Sequence, residues 1–259
     1  MVDLLDYRIP ELEDMKKYPK ELYYLGNLSL LKRRKISIVG TRRPSSYTKQ
    51  YTQLLVQELV KRGIVLVSGA AMGVDAIVHL SAGYENTIAV VANGLDIRYP
   101  SVNRRLIESI EKEGLVLSQF PKGAKATPWS FVVRNELVVA LGEVLIVTQA
   151  DENSGSMRSV EFALRMGKEI YVLPHRLGES NGTNNLLKEG LAKPINDILQ
   201  FANIFGVEPQ NNHIEKDEFF YFCQTMPTLD EAVAKFSSRV YEAELEGLIA
   251  IENGLVHLV

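Results

Sequence analysis

The sequence contains one cysteine, one tryptophan and no apolar run long enough to cross a membrane. A single thiol, Cys223, excludes a disulfide framework and a cysteine-based zinc site. The N-terminal residues are acidic and lack the layout of a signal peptide. Together these absences predict a cytoplasmic protein with no membrane partner.

The usual signatures of nucleotide-binding and hydrolytic enzymes are also missing. Gly69 and Gly73 follow an apolar run in a G-x-x-x-G spacing, without the middle glycine of a dinucleotide motif or the Gly-Lys-Ser/Thr of a P-loop. No G-x-S-x-G elbow occurs, and no His/Asp/Glu spacing indicates a metal site. We therefore expect no catalytic residue, no metal and no cofactor.

Charge is distributed unevenly along the chain. Residues 32–206 carry 22 basic and 16 acidic side chains, a net charge of +6, whereas residues 207–259 carry 3 and 10, a net charge of −7. This division indicates an anionic partner for the central segment and argues against nucleic-acid contact through the C-terminal one. The alternative is that the two segments simply have solvated surfaces of different composition.

Short apolar runs alternate with helical periodicity through the central segment. The predicted strands are Ile36–Val39, Ile64–Val67, Ile88–Val91, Leu115–Leu117, Val144–Val147 and Ile170–Leu173. Such alternation predicts a doubly wound, mostly parallel α/β sheet. Ligands bind such a sheet outside the carboxyl ends of its strands.

The composition predicts three domains. Residues 1–31 are a short helical preface and residues 32–206 the α/β domain, while residues 207–259 begin with a linker, Glu208–Asn212. Asn253-Gly254 between two apolar stretches predicts a hairpin after the last helices. Helices followed by a hairpin indicate a small winged-helix-like domain, although it is acidic where a DNA reader would be basic.

Small, polar, cationic and aromatic residues follow the predicted strands. They are Thr41, Arg42, Arg43, Ser68, Gly69, Gly73, Asn93, Lys122, Lys125, Trp129, Phe131, Arg134, Ser154, Gly155, Ser156 and Arg158. Glycine turns let backbone N–H groups approach an anion, and a helix N-terminus favours one. Several such turns along one edge suit a polyanion better than a mononucleotide, and Trp129 and Phe131 could stack on unpaired bases. The alternative is that Phe131 caps the core and the serines cap helices.

Seven segments, in order, resemble the DprA/Smf family of DNA-processing proteins. They are YPKELYYLGNLSLL (18–31), GTRRPSSYTKQ (40–50), VSGAAMGVDAIVH (67–79), ANGLDIRYPSVNRRL (92–106), SFVVRNELVVAL (130–141), IVTQADENSGSMRSVEFALRMGKEIYVLP (146–174) and SNGTNNLLKEG (180–190). The third segment is similar to the family's S-G-[GA]-x-x-G-[IV]-D signature, and the fifth to its F-x-x-R-N-R motif.

The resemblance implies an extended Rossmann-like fold and a homodimer without catalytic activity. It also implies binding of single-stranded DNA, with duplex DNA bound more weakly if at all, and loading of RecA recombinase on that strand during natural transformation in competent cells. The DNA-binding residues implied by the resemblance are Gly40, Thr41, Arg42, Ser68, Gly69, Gly73, Phe131, Arg134, Asn135, Gly155 and Ser156. Arg43, Lys125 and Ser154 are predicted to join them from the residues that follow the strands, with Arg165 and Lys168 as further basic candidates.

The sequence departs from the family pattern at three places. Glu136 replaces the second arginine of R-N-R, and Pro128–Ser130 stand where some relatives have a lysine, which Lys122 or Lys125 could replace. The C-terminal segment resembles the family's reduced winged helix, but its acidity favours a protein contact.

The rival hypothesis is an enzyme, a nucleoside 5′-monophosphate phosphoribohydrolase of the lysine-decarboxylase-like (LOG) type. Those proteins resemble this chain at the serine-glycine turn and require P-G-G-x-G-T-x-x-E with a catalytic glutamate. Aligning Glu161 with that glutamate places Asn153, Ser154 and Met157 where proline and two glycines are needed. The motif is therefore poorly matched.

Overall fold

The computed structural model describes residues 2–206, 218–223, 225–245, 248–252 and 254–258. Its contacts divide the chain into two compact units, Met1–Glu208 and Pro209–Val259. Among the described residues, no helix is both long and apolar enough to cross a membrane.

The first unit is built on one nine-stranded sheet. Its strands are β1 (Asp3–Leu4), β2 (Tyr23–Gly26), β3 (Lys35–Val39), β4 (Val65–Ser68), β5 (Thr87–Val91), β6 (Leu115–Ser118), β7 (Leu145–Val147), β8 (Ile170–Val172) and β9 (Lys193–Pro194). Their spatial order is β1-β2-β6-β5-β4-β3-β7-β8-β9, and every pair from β6 through β9 is parallel. The predicted mostly parallel, Rossmann-like α/β fold is confirmed.

Helices cover both faces of this sheet. They are α1 (Ser46–Lys61), α2 (Val74–Ala82), α3 (Arg104–Glu113), α4 (Pro128–Leu141), α5 (Gly155–Arg165), α6 (Asn181–Lys188) and α7 (Ile198–Phe205). The central strands are buried on both faces, so they appear in the sequence as continuous apolar runs rather than alternating ones. The six predicted strands therefore match β3 to β8 to within one residue at either end.

The N-terminal segment joins this sheet. Residues 2–31 form β1, β2 and two short 3₁₀ helices (Pro10–Asp14 and Leu28–Lys32), so the predicted helical preface contains only these short helices. β2 pairs antiparallel with β6, and Leu12 lies in the same hydrophobic core as the central strands. Glu11 also lies 2.6 Å from the buried amine of Lys35.

The second unit contains α8 (Glu218–Cys223), α9 (Leu229–Phe236), α10 (Arg239–Leu245) and an antiparallel hairpin, β10 (Ile249–Glu252) with β11 (Leu255–Leu258). Its small core includes Phe219 and Cys223. Helices followed by a hairpin agree with the prediction. The predicted linker Glu208–Asn212 and the turn residue Asn253 lie outside the described residues.

Lys168 stabilises the end of α4. Its Nζ donates to the carbonyl oxygens of Ala140, at 2.7 Å, and Gly142, at 2.5 Å. Both carbonyls belong to the end of the helix, where intrahelical donors are missing. A basic group there also interacts favourably with the helix dipole.

We expect Lys168→Met to lower the free energy of unfolding by about 1–3 kcal/mol, because two carbonyl groups lose a charged donor. Urea denaturation measures this change. Lys188→Met, which alters an exposed lysine on α6, is the matched control and should leave the midpoint unchanged. Equal midpoints for both variants would contradict the assigned role of Lys168.

Candidate functional site

A cavity of about 460 Å³ opens at the carboxyl ends of the central strands. Strand β3 lies between β4 and β7, so the chain connects to opposite sides of the sheet at this point. Such a switch point is the usual ligand site of a doubly wound sheet. The cavity is lined by Val39, Gly40, Thr41, Arg42, Gly69, Ala71, Asp75, Phe131, Arg134, Asn135, Val138, Ser154, Gly155, Ser156 and Ser159.

Two glycines let the turns after β3 and β4 pack together. Gly73 has φ +80°, and a Cβ there would lie 2.4 Å from the carbonyl oxygen of Thr41. A Cβ on Gly69 would lie 1.3 Å from the Arg134 guanidinium. Both positions therefore require glycine, one for backbone conformation and close approach and the other to admit a side chain.

Arg134 forms the floor of the cavity. Its side chain is 5% exposed, and Nη1 donates to the Val90 carbonyl oxygen at 3.2 Å. The same nitrogen lies 3.8 Å from Asp75 Oδ2, while Nε has no hydrogen-bond partner among the described residues. Burial raises the pKa of Asp75, and the neighbouring Arg134 charge acts against that rise. The Arg134 guanidinium therefore faces a carbonyl and a carboxyl group inside the protein rather than open solvent.

Phe131 lies between two cations. The guanidinium carbon of Arg42 is 5.5 Å from the ring centroid, and that of Arg134 is 5.7 Å away. Arg42 is exposed, and no carboxylate pairs with it among the described residues. The ring and the Arg42 cation thus offer a stacking surface beside an available positive charge.

The N-terminus of α5 forms the opposite wall. Ser154 is the N-cap residue, yet its side chain makes no capping hydrogen bond, and its Oγ has no partner in the described structure. The hydroxyl of Ser159, which is 1% exposed, is likewise unpaired. Asn135 Nδ2 donates to the Gly155 carbonyl oxygen at 3.4 Å, linking α4 to this helix. Unpaired donors at a helix N-terminus are suited to an anion.

Most, but not all, of the predicted DNA-binding residues lie together at the cavity. Ten of them line the cavity: Gly40, Thr41, Arg42, Gly69, Phe131, Arg134, Asn135, Ser154, Gly155 and Ser156. Gly73 and Arg43 line an adjacent shallow groove along α1 with Lys49. Lys125 lies exposed in the loop that precedes α4.

Besides Gly73, Arg43 and Lys125, three further predicted residues do not line the cavity. Ser68 is fully buried, and its hydroxyl donates to the Ile38 carbonyl oxygen at 2.7 Å. Arg165 is exposed on α5, 3.8 Å from Glu136, and Lys168 donates to the end of α4. The cavity also includes Asp75 and Ser159, which the sequence analysis did not select. The one available signal was a carboxylate in an otherwise apolar stretch.

His79 supports the turn beneath the cavity. Its Nε2 accepts from the Ala70 N–H at 3.3 Å, and Nδ1 pairs with Thr87 Oγ1 at 2.7 Å. Thr87 Oγ1 in turn donates to the Leu66 carbonyl oxygen, so it accepts from His79 and the ring is neutral. Ala70 has φ +56°, a conformation disfavoured for residues other than glycine. The buried imidazole therefore helps to hold a strained turn.

The fold and this cavity define a Rossmann-like protein with a cationic, aromatic ligand site at the switch point of its sheet. The chain belongs to the DNA recombination-mediator protein A family, whose sequence model matches residues 3–206. The DprA/Smf resemblance is thereby confirmed.

Several relatives in this family are similar over most of the chain. Protein Smf of Synechocystis sp. is 37% identical over 197 residues, 73% of this chain and 50% of that protein. DNA processing protein DprA of Bacillus subtilis is 36% identical over 75% of this chain and 66% of that protein. This chain therefore spans between half and two thirds of the length of these curated relatives.

Two solved structures share the fold. DNA processing protein A of Helicobacter pylori is 42% identical with a TM-score of 0.77, covering 79% of this chain and 95% of that one; its structure describes a single-stranded DNA binding mode. DprA of Streptococcus pneumoniae is 33% identical with a TM-score of 0.73, covering 78% of this chain and 72% of that one.

The close approach of Arg134 to Gly69 generates a prediction about stability. We expect Gly69→Ala to lower the free energy of unfolding by about 1–3 kcal/mol, because the added methyl group must displace a buried guanidinium. Thermal or urea unfolding measures the change. Gly155→Ala is the control, since a Cβ there meets no atom within 4 Å. A Gly69→Ala protein as stable as the Gly155→Ala protein would contradict the packing described here.

Burial of His79 generates a second prediction. Burial lowers the pKa of His79 to about 3 from an ordinary value of 6.5. Below pH 6.5 the unfolded chain binds a proton that the folded chain does not, so stability falls as the pH falls. For this group the slope approaches about 1.4 kcal/mol per pH unit until the folded value is reached.

We expect His79→Gln to remove this contribution. The free energy of unfolding, measured by urea denaturation at several pH values from 6.5 down to about 4, should depend less steeply on pH in the variant. Parallel curves for the two proteins would show that His79 is not the titrating group.

Proposed function

We propose that this protein binds single-stranded DNA in the switch-point cavity and loads RecA recombinase onto that strand during natural transformation. The observation that carries the proposal is the combination of Phe131 with the exposed Arg42 and the open N-terminus of α5. One wall of the cavity offers a stacking ring, and the other offers donors for a phosphate.

The turn after β3 and the N-terminus of α5 supply the proposed phosphate contacts. Arg42 supplies a planar guanidinium that can hold a phosphate with two hydrogen bonds. Ser154 and Ser156, with the backbone N–H groups of the first turn of α5, supply further donors. Because the turn after β4 lacks a P-loop lysine, the site is suited to one backbone phosphate rather than to the triphosphate of a nucleotide.

The proposed preference for single-stranded over duplex DNA follows from the position of the Phe131 ring inside the cavity. Phe131 is half-buried within the cavity, so a base must enter the cavity to stack on it. A base in a duplex is paired and stacked and would first have to leave the helix, at a cost of a few kcal/mol. Duplex DNA is accordingly the weaker ligand. The single-stranded DNA binding mode of the Helicobacter pylori relative supports the same preference.

Other parts of the proposal rest on family membership. The protein acts as a homodimer in the cytoplasm, without catalysis, as a recombination mediator in competent cells. We also propose boundaries at residues 31/32 and 206/207, with the N-terminal preface packed into the α/β domain and the C-terminal part a domain of its own. The C-terminal domain, winged-helix-like and acidic, contacts a protein rather than DNA, and six acidic against two basic residues in its described part support that role.

The position of Glu161 does not support the phosphoribohydrolase hypothesis. Glu161, the residue that would have to be catalytic, is exposed on α5 and pairs with Arg158 at 2.9 Å. It lines a shallow groove between α4 and α5 and is not among the residues that line the switch-point cavity. Its carboxylate is therefore badly placed to act on a ligand in that cavity.

We expect Arg42→Ala to weaken binding of poly-dT roughly 10- to 150-fold, the loss typical of a charged hydrogen-bonding contact. The slope of log Kd against log salt should also fall by about 0.7 for the lost phosphate contact. Fluorescence anisotropy of labelled oligo-dT at several salt concentrations measures both. Arg158→Ala is the control, because Arg158 is equally cationic but paired with Glu161.

Two results would overturn the proposed site. One is an unchanged dissociation constant for Arg42→Ala. The other is equal weakening by Arg42→Ala and Arg158→Ala, which would indicate attraction to the whole surface. Release of ribose 5-phosphate from AMP or CMP would instead favour the enzyme.

A further inference from the structure

Two aromatic residues beside the cavity are exposed. Trp129, the sole tryptophan, is 67% exposed, and Tyr99 is 48% exposed. Tyr99 lies 6.1 Å from Phe131 between ring centroids, and Trp129 packs edge-on against Phe120 at 6.0 Å. Exposed aromatic rings beside a candidate DNA site are available to stack on bases.

These rings are held on a fixed surface. The loop before α4 is joined to the loop after β5, since the Gly94 N–H donates to the Ala124 carbonyl oxygen at 2.9 Å and the Gly123 N–H to Asp96 Oδ1 at 2.9 Å. The first turn of α4, which includes Trp129, is closed by a capping box between Thr127 and Ser130. Pre-ordered rings lose little conformational freedom when a base stacks on them.

Charge distinguishes this side of the cavity from the opposite one. Lys122 and Lys125 are exposed in the loop before α4, and neither has a carboxylate partner in the described part of the chain. On the α5 side, Arg158 pairs with Glu161 at 2.9 Å and Arg165 lies 3.8 Å from Glu136. A phosphate backbone therefore meets available cations on the aromatic side and neutralised ones on the other.

We infer that the DNA strand leaves the cavity over a second stacking platform formed by Tyr99, Phe120 and Trp129, with Lys122 and Lys125 beside its phosphates. This inference rests on the proposed function of the cavity and extends its site by the nucleotides outside it. Bases stack on Tyr99 and Trp129 whatever their sequence, because every base has an aromatic face.

The sole tryptophan reports on this platform directly. Stacking of a base on Trp129 should quench its fluorescence when oligo-dT of about 16 nucleotides is added to the intact protein. An oligo-dT of about four nucleotides, which occupies little beyond the cavity, should bind with less quenching. A saturating long oligonucleotide that leaves the emission intensity and wavelength unchanged would overturn the inference.

Affinity measured against length gives an independent test. Trp129→Ala and Tyr99→Ala should each weaken the long oligonucleotide roughly 5- to 150-fold, the usual loss for one stacked base, and leave the short one nearly unaffected. Because stacking involves no phosphate, the salt slope should stay unchanged. Lys122→Ala with Lys125→Ala should instead lower that slope by about 1.4 in total. Tyr51→Ala, on α1 and also exposed, is the aromatic control.

The two proposals fail in different ways. If Arg42→Ala weakens both oligonucleotides while the Tyr99 and Trp129 variants match the control, the platform is wrong and the cavity stands. If only the platform variants weaken binding of the long oligonucleotide and Arg42→Ala leaves its dissociation constant unchanged, the proposed cavity site is wrong.

Discussion

The cavity depends on one steric constraint, the absence of a side chain at Gly69. The Arg134 guanidinium fills the volume that a Cβ would need, and from there it reaches Asp75 and the end of β5. A buried guanidinium without partners would be costly, so this contact fixes how α4 crosses the turn after β4. The position of Phe131, one turn earlier on α4, follows from it.

The same constraint decides which charge is available to a ligand. Arg134 is deep and lies 3.8 Å from Asp75, whereas Arg42 is exposed and pairs with no carboxylate in the described residues. In the proposed complex, binding strength would come from Arg42, from the unpaired donors at the start of α5 and from stacking, rather than from a high local charge. Such a site is suited to one phosphate and needs neighbouring contacts to hold a polymer.

Much of the fold was predictable because β3 to β8 are buried on both faces and appear as plain apolar runs. The pairing of β2 with β6 was not, since it joins segments about 90 residues apart and depends on tertiary packing. Most of the predicted site residues that line the cavity follow strands or lie in the first turn of a helix, whereas Arg134 and Asn135 lie in the middle of α4. Ser68 and Lys168 resemble the cavity-lining residues in being polar or cationic, but their polar groups donate hydrogen bonds to internal carbonyl oxygens. Composition cannot distinguish these two uses of a polar residue; only the position of the nearest acceptor does.

Glu136, which replaces an arginine of the family motif, makes the two sides of the cavity differ in available positive charge. A glutamate in place of an arginine puts a carboxylate 3.8 Å from Arg165, and Glu161 likewise pairs with Arg158. The cations on the α5 side are thus neutralised, while Lys122 and Lys125 remain available beside Trp129. If the protein binds DNA as proposed, the strand is favoured to leave along the aromatic side, where the exposed rings lie, rather than over α5, because a DNA backbone follows available positive charge.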